Sequence, residues 1–198
     1  HFSIKNNIKY IISGGNIATE CVFPKSWHHS AMDAINLKSI HKNFGEMKLR
    51  HYKTISFFDY SIYYPFIKKM KVVRPLNLMP FCRENAIDTL IKQVGYKEYG
   101  RKHGESVFTR FFQSYYLPQK FNMDKRIPHL SSHIMSDTMS REDALMELKK
   151  PLYTPTELEA DKAYIAKKLG FSMNEFEELI SSEGRSYLEY ANWDFRYK

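Results

Sequence analysis

The sequence predicts an α/β chain that is predominantly helical, with a few short strands near its N-terminal end and a helical C-terminal tail. Two observations carry this. Short β-branched runs appear only in the N-terminal part, at Ile8–Ile12 and Lys71–Leu76. Elsewhere apolar residues recur at helical spacing, and the final third of the chain holds three helix-start signals.

Taken in order, Ile8-Lys9-Tyr10-Ile11-Ile12 reads as a buried strand ended by Ser13-Gly14-Gly15. Met32, Ile35, Leu37, Ile40 and Phe44 trace a helix stopped at Gly45. Residues 57–70 read as an aromatic-rich helix, interrupted or restarted near Pro65, and 71–76 as a short strand running into a turn. A helix over 83–94 closes at Gly95, another runs from Ser106 to Leu117 with Pro118 as its stop, and a further one covers 129–135. Ser140 with Asp143, Thr154 with Pro155 and Glu157, and Ser172 with Glu175 are N-terminal caps. Their side-chain oxygens satisfy orphan backbone N–H groups, worth about 1 kcal/mol each.

Composition fits a folded protein: 43% hydrophobic and 26% charged residues leave room for a core, and 15% aromatic residues is high. No apolar run is long enough to cross a membrane and no signal peptide opens the chain, so a cytoplasmic location without membrane contact is expected. The chain starts at His1 and is read as a fragment or processed product. Cys21 and Cys82 are too few and too far apart for a disulfide framework or zinc pattern. Residues 1–150 hold 24 basic and 13 acidic side chains, and residues 151–198 hold 6 and 9. A basic body with an acidic tail points to an anionic partner: nucleic acid, nucleotide or phosphosugar.

Three stretches could carry chemistry. In Ile11–Glu20, a strand ending in Gly14-Gly15 lets the backbone approach a ligand, while Asn16, Thr19 and Glu20 add polar groups and Glu20 is a candidate magnesium ligand. A plain strand-to-helix turn explains the same residues, and the Gly-Lys-Ser/Thr ending of a Walker loop is missing. In Tyr99–Arg126, the cations Arg101, Lys102, Arg110, Lys120, Lys125 and Arg126 could surround a diphosphate, with interleaved rings stacking on a base or sugar. His103 and Glu105 are candidates for proton transfer. A solvated basic face over an aromatic core fits this composition too. In Ile165–Ile180, Ala166–Ser172 resembles a helix-turn-helix corner. Its second helix, however, carries Glu175, Glu177 and Glu178 and no cation, which argues against DNA.

The runs 9–20, 23–27, 71–77, 99–113, 115–121, 124–126 and 129–132 resemble the C-terminal half of the N-acetyl sugar amidotransferases. These are lipopolysaccharide-biosynthesis enzymes of the PP-loop ATP pyrophosphatase superfamily. The resemblance covers nearly all of residues 8–180. It implies the later part of a Rossmann-like PP-loop domain with short parallel strands. The expected organisation is a nucleotide-binding remainder over 1–80, a helical substrate-binding region over 81–150 and a helical hairpin tail over 151–198.

The resemblance also implies the activity. ATP with Mg2+ activates the carbonyl oxygen of an acetamido group on a nucleotide-linked sugar, and ammonia from a separate glutaminase subunit converts the amide to an amidine. It places nucleotide contacts at Gly14, Gly15, Asn16, Thr19 and Glu20. Substrate contacts fall at Arg101, Lys102, Arg110, Lys125 and Arg126, and proton transfer at His103 and Glu105. One departure matters: Ser13-Gly14-Gly15 is followed by Asn16-Ile17-Ala18, not by the x-Asp-Ser of the family's pyrophosphate loop. The chain is therefore expected to be catalytically incomplete alone. Its short sheet would leave an exposed edge that invites association, homo-oligomers included. The competing reading is an RNA-binding or RNA-modifying module of the PP-loop type. Nucleic acid is otherwise not an expected partner.

Overall fold

The computed structural model describes residues 1–97 and 106–197. The chain is mostly helical with one two-stranded parallel sheet, and it divides into two compact units. One unit comprises residues 1–15, 24–75 and 185–198; the other comprises 16–23 and 76–184.

In the first unit, β1 (Tyr10–Ile12) pairs in parallel with β2 (Lys71–Val73), with Ile11 opposite Val72. Both strands lie where the β-branched runs predict them. The expectation that the first is buried is corrected: Tyr10, Ile11 and Ile12 are all exposed. Pairing with β2 satisfies one edge of β1 and leaves its side chains outward. The helix Ala34–Phe44 starts at Asp33, whose Oδ1 accepts from the N–H groups of Ile35 and Asn36. Residues 59–67 form a π-helix that runs through Pro65. The wider turn tolerates the missing proline N–H, so the segment neither breaks nor restarts there.

The C-terminal segment belongs to this unit. Ser186 caps the 3-10 turn Tyr187–Glu189, and the amide of Asn36 donates to the carbonyls of Tyr187 and Ala191. The backbone N–H of Trp193 donates to Asp33 Oδ2 at 2.6 Å, and the indole packs edge-on to Phe57. Asp33 is thus a junction: its buried carboxylate also accepts from His29 Nε2 at 2.7 Å.

The second unit is helical. Its core is Phe111, Ile165, Ala166, Phe176 and Ile180, with Val107, Tyr115, Tyr116 and Leu158 packed around it. Pro155–Leu169 and Met173–Ser181 start with the expected capping boxes and are separated by Gly170 in the left-handed region, at φ 78°. Arg83–Val94 likewise ends at Gly95, φ 66°. Pro118 does not stop the aromatic helix. An α-turn (Val107–Phe111) passes through a π-turn (Phe112–Tyr116) into Leu117–Phe121. Pro118 falls in the first turn of that last piece, where a proline needs no N–H. The path ends at Asn122, φ 53°.

Candidate functional site

The helix Arg126–Met135 is the scaffold that holds the second unit's polar segment. Its Ser132 is fully buried, and the hydroxyl accepts from the Val22 N–H at 3.1 Å while donating to Pro128 O at 2.9 Å. Ser136 Oγ donates to Ala18 O at 2.8 Å, and His129 Nδ1 lies 3.3 Å from Thr19 O. Residues 129, 132 and 136 fall on one helical face by their spacing of three and four. Three side chains therefore clamp the backbone of residues 18–22. Asn77 completes the clamp by accepting the Ile17 N–H at 2.8 Å.

Within that segment, Asn16 caps the single turn Ile17–Glu20, its Oδ1 accepting from the Thr19 N–H and hydroxyl at 2.9 and 3.0 Å. Glu20 is exposed. Lys125 precedes the scaffold helix at its N-cap, with its ammonium 3.9 Å from the centroid of the Phe23 ring. The structure thus brings Asn16, Thr19 and Glu20 onto the helix that starts at Lys125 and Arg126.

Arg126 is fully engaged. Its Nε and Nη2 donate to Asp124, and its Nη1 donates to the carbonyls of Glu147 at 3.1 Å and Lys150 at 2.8 Å. Nη2 also reaches Leu148 O at 3.3 Å. The guanidinium therefore closes the C-terminal end of the helix Arg141–Lys149, where unpaired carbonyls and the helix dipole favour a cation. Beside it lies a cavity of about 240 Å3, bordered by Lys150, Leu152, Tyr153 and Glu157 among others.

Arg110 forms a two-pronged pair with Asp161, Nε to Oδ2 at 2.7 Å and Nη2 to Oδ1 at 2.6 Å. Tyr153 donates its hydroxyl to the same Oδ2 at 2.7 Å. The bond to Asp161 raises the guanidinium's already high pKa, and burial followed by the bond to Asp161 pushes the Tyr153 phenol well up. Close by in sequence, Lys162 is almost buried, paired with Glu177 at 2.8 Å and lying over the Tyr115 ring. Burial acts to lower its pKa, but hydrogen bonds with Glu177 and Tyr115 outweigh it, so the ammonium is held above its ordinary range.

Gly14 and Gly15 lie in the first unit. A Cβ placed on Gly14 would meet nothing within 4 Å, and the Gly15 N–H donates to Ser13 Oγ at 3.3 Å. The space over Gly14 is therefore open. Among the described residues no group of three or more His, Cys, Asp or Glu could hold a metal ion. Arg101, Lys102, His103 and Glu105 lie outside the described residues.

Sequence reasoning did not single out Ser132, Ser136, Asn77, Tyr153 or Asp161. Ser132 lies within the run 129–132 and Asn77 ends the run 71–77, so the signal was present; their work is to accept or donate single backbone bonds over long sequence separations. Asp161 stands mid-helix and lacks a local pattern.

Among the described residues no helix is long and apolar enough to cross a membrane. No curated protein and no solved structure matches the chain. Residues 105–198 match the family described as LPS biosynthesis protein WbpG-like, C-terminal domain. That span contains the aromatic helix, the Arg110–Asp161–Tyr153 cluster, the scaffold helix and both capping boxes. Over residues 105–198, then, the chain is similar to the C-terminal domain of the WbpG-like lipopolysaccharide-biosynthesis proteins.

Proposed function

We propose that this chain is part of a cytoplasmic, ATP-dependent amidotransferase that converts the acetamido group of a nucleotide-linked sugar to an amidine during lipopolysaccharide synthesis. The observation that supports the reading best is the clamp described above. It seats the polar segment Asn16–Glu20 against the helix headed by Lys125, which lies within the matched span.

Lys125 stands where an ammonium and the positive end of a ten-residue helix act in the same sense on an anion. In this proposal it meets the diphosphate of the sugar nucleotide, with Arg101 and Lys102 as further contacts. Arg110 and Arg126, whose forks are taken up by protein oxygens, act by fixing the helices that carry the contacts. His103 and Glu105 remain the proton-transfer candidates, and Glu20 the candidate for Mg2+. When bound, ATP would turn a poor amide oxygen into a leaving group, so that ammonia from a glutaminase partner can displace it. The pyrophosphate loop for that nucleotide is not formed by Ser13–Ala18, so the chain alone is expected to bind sugar nucleotide without turning it over.

Titration calorimetry with UDP-N-acetylglucosamine tests the reading. Replacing one charge-assisted contact, worth about 1.5–3 kcal/mol, lowers affinity by roughly 10- to 150-fold. Lys125→Glu should show this loss with the far-UV circular dichroism of the parent chain retained, and Lys149→Glu should not. Equal affinity in the two variants, or no binding by the parent chain, would overturn the proposal.

A further inference from the structure

Residues 187–197 return to the first unit and are fastened there around one imidazole. His29 stands between two carboxylates. Its Nε2 is 2.7 Å from Asp33 Oδ2, and its Nδ1 is 3.9 Å from Asp194 Oδ2, too long for a hydrogen bond but close enough for an ion pair. The ring stacks on Tyr187, with centroids 4.1 Å apart and planes 11° from parallel, and the Tyr187 hydroxyl donates to the same Asp194 oxygen at 3.3 Å. Asp33 caps the helix Ala34–Phe44, whereas Tyr187 and Asp194 belong to the returning segment. Trp193, next to Asp194, donates its backbone N–H to the Asp33 oxygen that His29 contacts. Among the described residues, Asp33, Tyr187 and Asp194 are the titratable groups in contact with the ring, and no Lys or Arg touches it.

A neutral imidazole offers one N–H and one lone pair. With the N–H on Nε2 toward Asp33, the Nδ1 lone pair faces Asp194. The other tautomer turns a lone pair on Asp33 at 2.7 Å. Either neutral form sets a lone pair against a carboxylate, and only the imidazolium presents an N–H to both. A charged ring also gains from lying on a phenol face. Between about pH 5 and 8 ordinary carboxylates stay ionised, and histidine is the side chain that changes charge. The docked segment carries a cost as well. The indole N–H of Trp193 is buried without a hydrogen-bond partner among the described residues, while the ring packs on Phe57 and Tyr60. Release would return that N–H to water, so a modest electrostatic change can move the balance.

We propose that His29 is a proton-operated clasp: protonation of its ring fastens residues 187–197 to the first unit, and loss of the proton loosens them. Docking takes up the proton, so it is strongest on the acid side of the histidine range and weakens as pH rises through it. The His29 and Asp194 side chains are 12% and 29% exposed, so solvent screens the pair only in part. A pair of this kind changes an equilibrium by roughly two- to fivefold. This inference is independent of the amidotransferase reading.

The test uses the whole 198-residue chain. Hydrogen exchange followed by mass spectrometry, corrected for the intrinsic pH dependence of exchange, gives protection factors for the amides of residues 187–197. Protection should fall about two- to fivefold from about pH 5.5 to about pH 7.5, across the range where histidine titrates. His29→Gln, which keeps a donor for Asp33 but cannot take a charge, should flatten that profile, and Asp194→Asn should flatten it too. The double variant should be no flatter than either single one, because both remove the same pair. His28→Gln should keep the parent profile. A merely structural role for His29 would lower protection equally at both pH values. Far-UV circular dichroism checks that each variant is folded, and if His29→Gln is not, Asp194→Asn carries the test. Equal protection at the two pH values in the parent chain would overturn the proposal, and so would a parent-like slope in a folded His29→Gln or Asp194→Asn.

Discussion

Replacing Asp161 by Asn is the sharpest probe of the helical unit. The carboxylate takes both prongs of Arg110 and the Tyr153 hydroxyl, and its side chain is 7% exposed against 23% for Arg110. The amide is nearly isosteric, so packing is preserved while the charge disappears. Breaking a buried ion pair by removing one partner costs about 3–5 kcal/mol. Partial solvation of Arg110 screens part of that, leaving about 2–3 kcal/mol. For a protein of this length, about 2–4 °C of melting temperature goes with each kcal/mol, so a drop of roughly 4–12 °C is expected. Far-UV circular dichroism is the suitable signal, because both tryptophans, Trp27 and Trp193, lie in the other unit. Tyr153→Phe, which deletes one hydrogen bond to a charged acceptor, should cost about 1.5 kcal/mol, and Arg110→Lys should fall between, since a lysine cannot reproduce the fork. A shift below 1 °C for Asp161→Asn would refute the assignment of this triad as a structural lock.

Two further outcomes follow from the clamp and the Asp33 junction. Ser132→Ala removes a buried hydroxyl that both accepts and donates, so it should destabilise by about 1–3 kcal/mol and raise hydrogen exchange at the Val22 amide. Unchanged exchange there would remove the clamp. At Asp33, burial alone would raise the carboxyl's pKa, but bonds from Asn36, His29, Trp193 and Ile35 outweigh it and hold the value below the ordinary one. A lowered folded value means stability present above about pH 4 and lost as pH falls through the folded value. Acid unfolding followed by tryptophan fluorescence should therefore steepen below about pH 4 and flatten in Asp33→Asn.

Much of the fold was legible because the signals were local. Thr154, Ser172 and Ser140 announce their helices through bonds that span three residues, and Gly95 and Gly170 mark the ends by a backbone conformation that suits glycine. Pro118 and Pro65 misled, since a proline predicts a break only if the surrounding turn is α, and here a π-turn precedes one and contains the other. Burial of the first strand was also misread. The run Tyr10–Ile12 has the composition of a covered strand, but coverage depends on which distant segments arrive. The candidate site divides along the same line. The cationic richness of residues 101–126 can be counted in the sequence, but Arg110's link to Asp161 spans 51 residues and Ser132's to Val22 spans 110. No spacing rule reaches that far, so a list of cations could not tell which guanidinium groups were already committed.

The return of the C-terminus to the strand-bearing unit bears on how this protein can be dissected. The family match begins at residue 105, yet Tyr187, Ala191 and Trp193 bond to Asn36, Ser39 and Asp33, and the clamp on the scaffold helix is built from residues 17–22. Excising the matched stretch for recombinant work would strip Trp193 of its cover and leave the Ser132 hydroxyl without the Val22 amide. Boundaries drawn from homology and boundaries drawn from cooperativity do not coincide in this molecule.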